Sequence, residues 1–306
     1  MHTDSIRNEA FRLGFDHFGV AKADRVSDET IERVERWIER GAHASMGYMT
    51  NNREKRYDPR LLVEGAQSIV MVGMNYFPVQ FQQPHLPQVS YYAYGTDYHT
   101  VMKEKLHHLF YYIKTLFPEV EGRAFTDSAP VLERYWAEQC GIGWIGRSRQ
   151  LITTSGTFFF LGELILTIPL SPTPPTQNRC GSCQRCIEAC PTNALSKTCG
   201  LDANRCLSYR TIEHKGTYDD LEKIDHGNRL FGCDECQKAC PWNRFATPSP
   251  HPEFTINPAI NSLDKETIEQ MDAPTFNRLF KLSPIKRVKL EGLKRNAQHL
   301  NIIDVI

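Results

Sequence analysis

Two cysteine runs decide most of what this chain can be. Residues 180–191 read CGSCQRCIEACP, a C-x2-C-x2-C-x3-C-P pattern, and residues 233–241 read CDECQKACP, which is C-x2-C-x3-C-P. The second run lacks a leading cysteine; its position falls on Leu230. The first spacing is that of bacterial ferredoxins with paired 4Fe–4S clusters. Three closely spaced thiolates surround one cubane, and the cysteine before proline turns away to ligate the other. On that logic Cys180, Cys183, Cys186 and Cys240 hold one cluster. Cys233, Cys236 and Cys190 hold the second, whose fourth ligand is one of Cys140, Cys199 and Cys206. Cys206 opens an expected helix, NRCLSYRTIEHK, where the helix dipole favours a thiolate. Cys140 reads as a buried core thiol.

Zinc is the competing reading, but zinc knuckles are pairs of C-x2-C set apart with four ligands in all. Two near-repeats ending in Cys-Pro fit that poorly. Ten cysteines behind an N-terminus with no apolar leader argue for metal binding in a reducing cytosol over a disulfide framework. The apolar run FFFLGELILTIPL (158–170) carries Glu163 and reads as a buried strand, not a membrane span. Formal charge is balanced, 36 basic against 36 acidic residues, so nucleic-acid binding requires a local patch.

Periodicity predicts a helix over 4–17, a strand over 17–23, a charged helix over 28–40 and a buried strand over 68–77. A long helix over 99–117 ends before Pro118. Residues 122–130 read as strand and turn, then a helix opening with Pro130. Strands follow near 151–154 and 158–168. PLSPTPPTQN (169–178) is a proline-rich linker. The expected domains are 1–172, mixed α/β; 173–250, the cluster domain; and 251–306, a basic tail with two short amphipathic helices.

GIGWIG (141–146) matches a dinucleotide fingerprint but follows a helix and precedes a loop, the wrong context. It reads instead as a glycine turn that lets backbone approach something closely. A D-x-H-x-x-G cobalamin motif begins at Asp97-Tyr98-His99 but has Met102 where glycine belongs. About 170 residues precede the clusters, too many for a simple electron carrier. The residues alone therefore give a redox enzyme with two clusters and an unidentified second cofactor.

Seven stretches together resemble the epoxyqueuosine reductase family, iron–sulfur and cobalamin enzymes related to reductive dehalogenases. Besides the cysteine runs they are REKRYDPRLL (53–62), YGTDYH (94–99), DSAPVLER (127–134), GIGWIGRS (141–148) and SPIKRVKLEGLKRNA (283–297). The resemblance implies an α+β fold: an α/β cobalamin-binding domain joined to a mainly helical, ferredoxin-like domain with two 4Fe–4S clusters. It implies Cys206 as the eighth ligand and a base-off cobalamin between the domains. The implied reaction converts epoxyqueuosine to queuosine at the tRNA wobble position, the last step of queuosine synthesis. The implied setting is a cytoplasmic monomer, off the membrane, fed by a flavodoxin or ferredoxin.

Asp127 matches the family's proton donor, an acid whose proton would be retained by burial. The bland alternative is an N-cap of the following helix, a role open also to Ser128. Arg56, Ile152, Leu161 and Ser208, with Asp127, match cobalamin-contacting positions. Arg56 could equally be a surface charge, and Ile152 and Leu161 plain strand core. For tRNA, Lys286, Arg287 and Arg295 lie in a basic segment whose alternative is a solvated helix face, and Lys215 follows the Cys206 helix.

Overall fold

The computed structural model describes residues 2–219 and 221–301. In chain order, helix α1 (His2–Arg12) leads into strand β1 (His17–Lys22), then α2 (Asp28–Glu39), α3 (Arg53–Tyr57) and β2 (Ser68–Asn75). Next come β3 (Gln88–Val89), α4 (Tyr98–Leu116), β4 (Gly122–Phe125) and α5 (Glu133–Gln139). The short strands β5 (Trp144–Ile145) and β6 (Leu151–Ile152) precede the long β7 (Phe159–Leu166). One antiparallel sheet in the order β1-β2-β7-β4 organises this half. Every residue of β2 is buried because both faces are covered, which is why it reads as a continuous apolar run. Val70, Val72, Leu164 and Leu166 pack with Ile6, Met102, Leu106 and Leu109 of α1 and α4. Their neighbours Ile69, Met71 and Ile165 pack with Trp136, Ala137 and Cys140 on the α5 side. The period of two thus builds a helix–sheet–helix sandwich. A Cβ on Gly19 of β1 would stand 1.9 Å from Cys140 O, so α5 ends against bare backbone.

The cluster region contains α6 (Arg185–Glu188), the small hairpin β8 (Leu195–Ser196) and β9 (Gly200–Leu201), a π-helical turn (Tyr209–Glu213), β10 (Arg229–Phe231) and α7 (Glu235–Lys238). Strand β10 pairs in parallel with β3 from the first half. Leu230, at the position of the missing cysteine, is a fully buried strand residue. It shares a core with Val89, Tyr94, Phe276, Phe280 and Leu293.

Two expectations are corrected. Helix α5 starts at Glu133 with Leu132 in the cap position, so neither Asp127 nor Ser128 caps it and Pro130 lies in the preceding turn. The tail forms four α-helices, not two: α8 (Pro258–Asn261), α9 (Lys265–Gln270), α10 (Ala273–Leu279) and α11 (Lys289–Gln298). The breaks follow from local chemistry. Asn257, Asp264 and Asp272 each accept a backbone N–H of the next turn, starting three separate helices. Among the described residues, no helix is long and apolar enough to cross a membrane.

Candidate active site

The cysteines fall into two sets of four. Cys180, Cys183, Cys186 and Cys240 line one cavity with Ile152 and Trp242. Cys206 feels the charge of Cys190, Cys233 feels that of Cys206, and Cys236 feels Cys233, Cys206 and Cys190 together. The first grouping is the one the crossover predicts, and the second set is linked by mutual electrostatic influence that includes Cys206. Cys199 is exposed on the β8–β9 hairpin, and Cys140 is a core thiol within 3.7 Å of Ile69 O. Burial raises the thiols of Cys206 and Cys236, and pushes Cys233 up to about 12. Thiols so placed become thiolates only beside a strong positive charge, which cluster iron supplies. The GIGWIG turn serves close packing: a Cβ on Gly143 would lie 2.2 Å from Ile152 O, and one on Gly146 2.4 Å from Ile152 Cδ1.

Asp127 lies in the loop between β4 and α5 at φ +46°, a left-handed conformation. The side chain is exposed, so the protein alone does not provide the burial expected of it. Its carboxylate accepts the Tyr98 hydroxyl, and its backbone N–H donates to Glu133 Oε1 at 2.5 Å. Tyr98 begins α4, buried and stacked on Phe160 at 4.3 Å between nearly parallel rings. Asp97 caps that helix and holds His99 Nδ1 at 2.7 Å. The sequence had offered Tyr98 only as part of YGTDYH.

Two further acids stand behind Asp127. Glu163 is wholly buried on the α5 side of β7, and neither carboxylate oxygen has a partner among the described residues. Burial and the nearby Glu133 and Asp127 charges hold its pKa well above the carboxylate range. Glu133 is raised likewise, by burial and by Asp127. The signal for Glu163 was a lone charge inside an apolar run.

Arg56 is buried, not a surface charge. Its Nη2 donates to Tyr48 O at 2.6 Å, while Nε has no partner among the described residues. Burial and the charges of Glu213 and Asp127 raise the Tyr48 hydroxyl, against Arg287 and Arg56, so all four groups lie within electrostatic reach of it. Leu161 is half-buried in β7, its carbonyl accepting Thr126 Oγ1 at 2.7 Å. Ile152 is buried beside the first cysteine set. Ser208 precedes the π-helical turn, and the next residue, Tyr209, meets Ser45 Oγ at 2.6 Å. Arg287 is exposed and pairs with Glu213 at 2.7 Å, at the far end of that turn. Lys215 and Lys286 are exposed. Arg295 is half-buried: it donates to His214 O and Gly216 O at 2.9 Å and lies over Tyr218, so its donors hold the loop that carries Lys215.

Known proteins match this arrangement along the whole chain. The family model described as a 4Fe-4S double cluster binding domain covers residues 179–243, and one described as Epoxyqueuosine reductase QueG, DUF1730, covers 56–128. The chain is 42% identical over 300 residues to the epoxyqueuosine reductase of Cellulophaga algicola, spanning 98% of each. It is 44% identical to that of Cyclobacterium marinum, spanning 96% of this chain and 95% of the relative. A crystal structure of epoxyqueuosine reductase with an epoxyqueuosine-modified tRNA-Tyr stem loop superposes with TM-score 0.87 at 30% identity, over 96% of this chain and 79% of that one. A Bacillus subtilis structure with its catalytic loop swung out of the active site superposes with TM-score 0.86 at 29% identity, over 96% of this chain and 79% of that one. The chain therefore belongs to the epoxyqueuosine reductase family, reductase enzymes with a double 4Fe–4S cluster domain.

Proposed function

We propose that this reductase deoxygenates epoxyqueuosine in tRNA at a base-off cobalamin, supplied with single electrons through two clusters. Cys180, Cys183, Cys186 and Cys240 hold the first cluster, and Cys190, Cys206, Cys233 and Cys236 the second. The observation that carries the reading is the grouping of those thiols in a chain that also pairs Asp127 with Tyr98. Cobalamin suits Arg56: its buried Nε, without a partner among the described residues, is a donor of the kind that would engage side-chain amides of the corrin. Leu161, Ile152 and Ser208 would bound the same ligand, which when bound supplies a strongly nucleophilic, redox-active metal.

Removing the epoxide oxygen as water takes two electrons and two protons. Asp127 donates a proton to that oxygen, with Tyr98 orienting the carboxyl group and Glu133 fixing the loop backbone. Covering by cofactor and tRNA then supplies the burial that the chain alone lacks. Lys215, Lys286 and Arg287 meet tRNA phosphates, and Arg295 holds the Lys215 loop in place. The protein works as a cytoplasmic monomer organised as 1–172, 173–250 and 251–306, with a flavodoxin or ferredoxin as reductant. Asp127→Asn tests the acid: turnover falls by about 10²–10⁴-fold while cobalamin binding persists. Unchanged queuosine formation removes the assigned role.

A further inference from the structure

Positive charge predominates around the first cysteine set, with Glu188 the one acid inside the motif. Arg179 and Arg185 are exposed within the motif, and Arg147 donates to Gly181 O at 2.8 Å. Beside them opens a cleft of about 330 Å³ lined by Arg147, Arg149, Lys197 and Cys180 itself. Arg149 sits at φ +63°, its carbonyl accepting Arg134 Nη1 at 2.9 Å. Burial and the positive charges of Arg33, Arg134 and Arg40 together depress its pKa. Among the described residues none of these cations forms an ion pair. Of the acids on the same elements, Glu138 is committed to the Ile145 N–H at 2.8 Å, and Glu188 is exposed on α6, outnumbered by the surrounding arginines.

Clustered like charges without counter-charge destabilise a fold through self-repulsion, and they steer an oppositely charged partner. Cys180 borders both this cleft and the cavity of the four thiols. Of the eight thiols, Cys180 is the one that lines this cleft, so the first set is the one the cleft reaches. We propose that this arginine-lined face is the docking surface for an acidic one-electron carrier protein, with electrons entering at the Cys180 edge. The proposal rests on the two-cluster reading above. In each encounter the reduced carrier loses one electron and the oxidised first cluster gains one; two encounters serve one epoxide. An RNA is the weaker fit. Arg287 and Asp127 both act on Tyr48, whereas this cleft borders Cys180.

The test is stopped-flow reduction of the cluster absorbance in the complete protein, comparing wild type with Arg185→Glu/Lys197→Glu. Both side chains are exposed. Reduced acidic flavodoxin is the protein donor and photoreduced deazaflavin the small neutral donor. The variant should lose at least about tenfold in second-order rate with flavodoxin at low salt. Most of the salt dependence should disappear too, with deazaflavin reduction and affinity for an epoxyqueuosine tRNA stem loop unchanged. An unchanged flavodoxin rate overturns the proposal, as does weakened stem-loop binding with normal flavodoxin reduction. Because reduction is read at the clusters, failure of wild type to make queuosine would count against the functional reading alone.

Discussion

Glu163 is the residue whose physics is most exposed to test. A carboxyl raised by burial keeps its proton in the fold at pH values where the unfolded chain has released it. The folded state then binds more protons, so stability falls as pH rises from the ordinary carboxylate range toward the raised value, by up to ~1.4 kcal/mol per pH unit. Glu163→Gln removes that slope. Thermal melts of the two proteins should nearly coincide near pH 5 and diverge in favour of the variant toward pH 8; parallel curves would show that Glu163 does not titrate as described. The residue scale also shows what the sequence could not say. Tyr98 meets Asp127 and Arg56 is buried only because α4, the β4–α5 loop and the 45–57 segment converge in space. Neighbouring positions in the chain carry no trace of that. Asp127 itself was legible through DSAPVLER, although its exposure and its left-handed backbone were not.

At the scale of elements, strands were easier to read than short helices. Strand β2 declared itself as an apolar run, and β7 did so despite Glu163. Helix α5 was placed three residues too early, because a permissive proline looked like a start while the loop geometry at Asp127 delays the first turn. The tail helices were undercounted because each is short and begins at a capping side chain within a weakly periodic stretch. Packing of α5 on β1 allows a direct test. Gly19→Ala places a methyl group on Cys140 O and should cost about 1–3 kcal/mol in denaturant unfolding; a neutral result would mean that α5 is not seated there. The cysteine elements divide equally cleanly. Cys206→Ala should lower iron from about eight to about four per chain, whereas Cys199→Ala should leave iron content unchanged. The opposite pattern would reassign the eighth ligand.

Across the whole molecule, the α/β sandwich, the cluster region and the tail are tied by shared structure more than the proline-rich linkers suggest. Strand β10 pairs with β3, and the tail packs its apolar side chains around both. Those ties are long-range pairings between short segments, which local patterning does not encode. In the proposed function, electrons pass from the Cys180 set through the Cys206 set toward Asp127. The direct test of that order is anaerobic reaction of reconstituted protein with a low-potential reductant and epoxyqueuosine-containing tRNA, followed by nucleoside analysis. Queuosine should form in wild type only when cobalamin is supplied, and should be lost in Cys206→Ala despite bound cobalamin. Queuosine formed without cobalamin, or by the variant that retains a single cluster, would contradict the account.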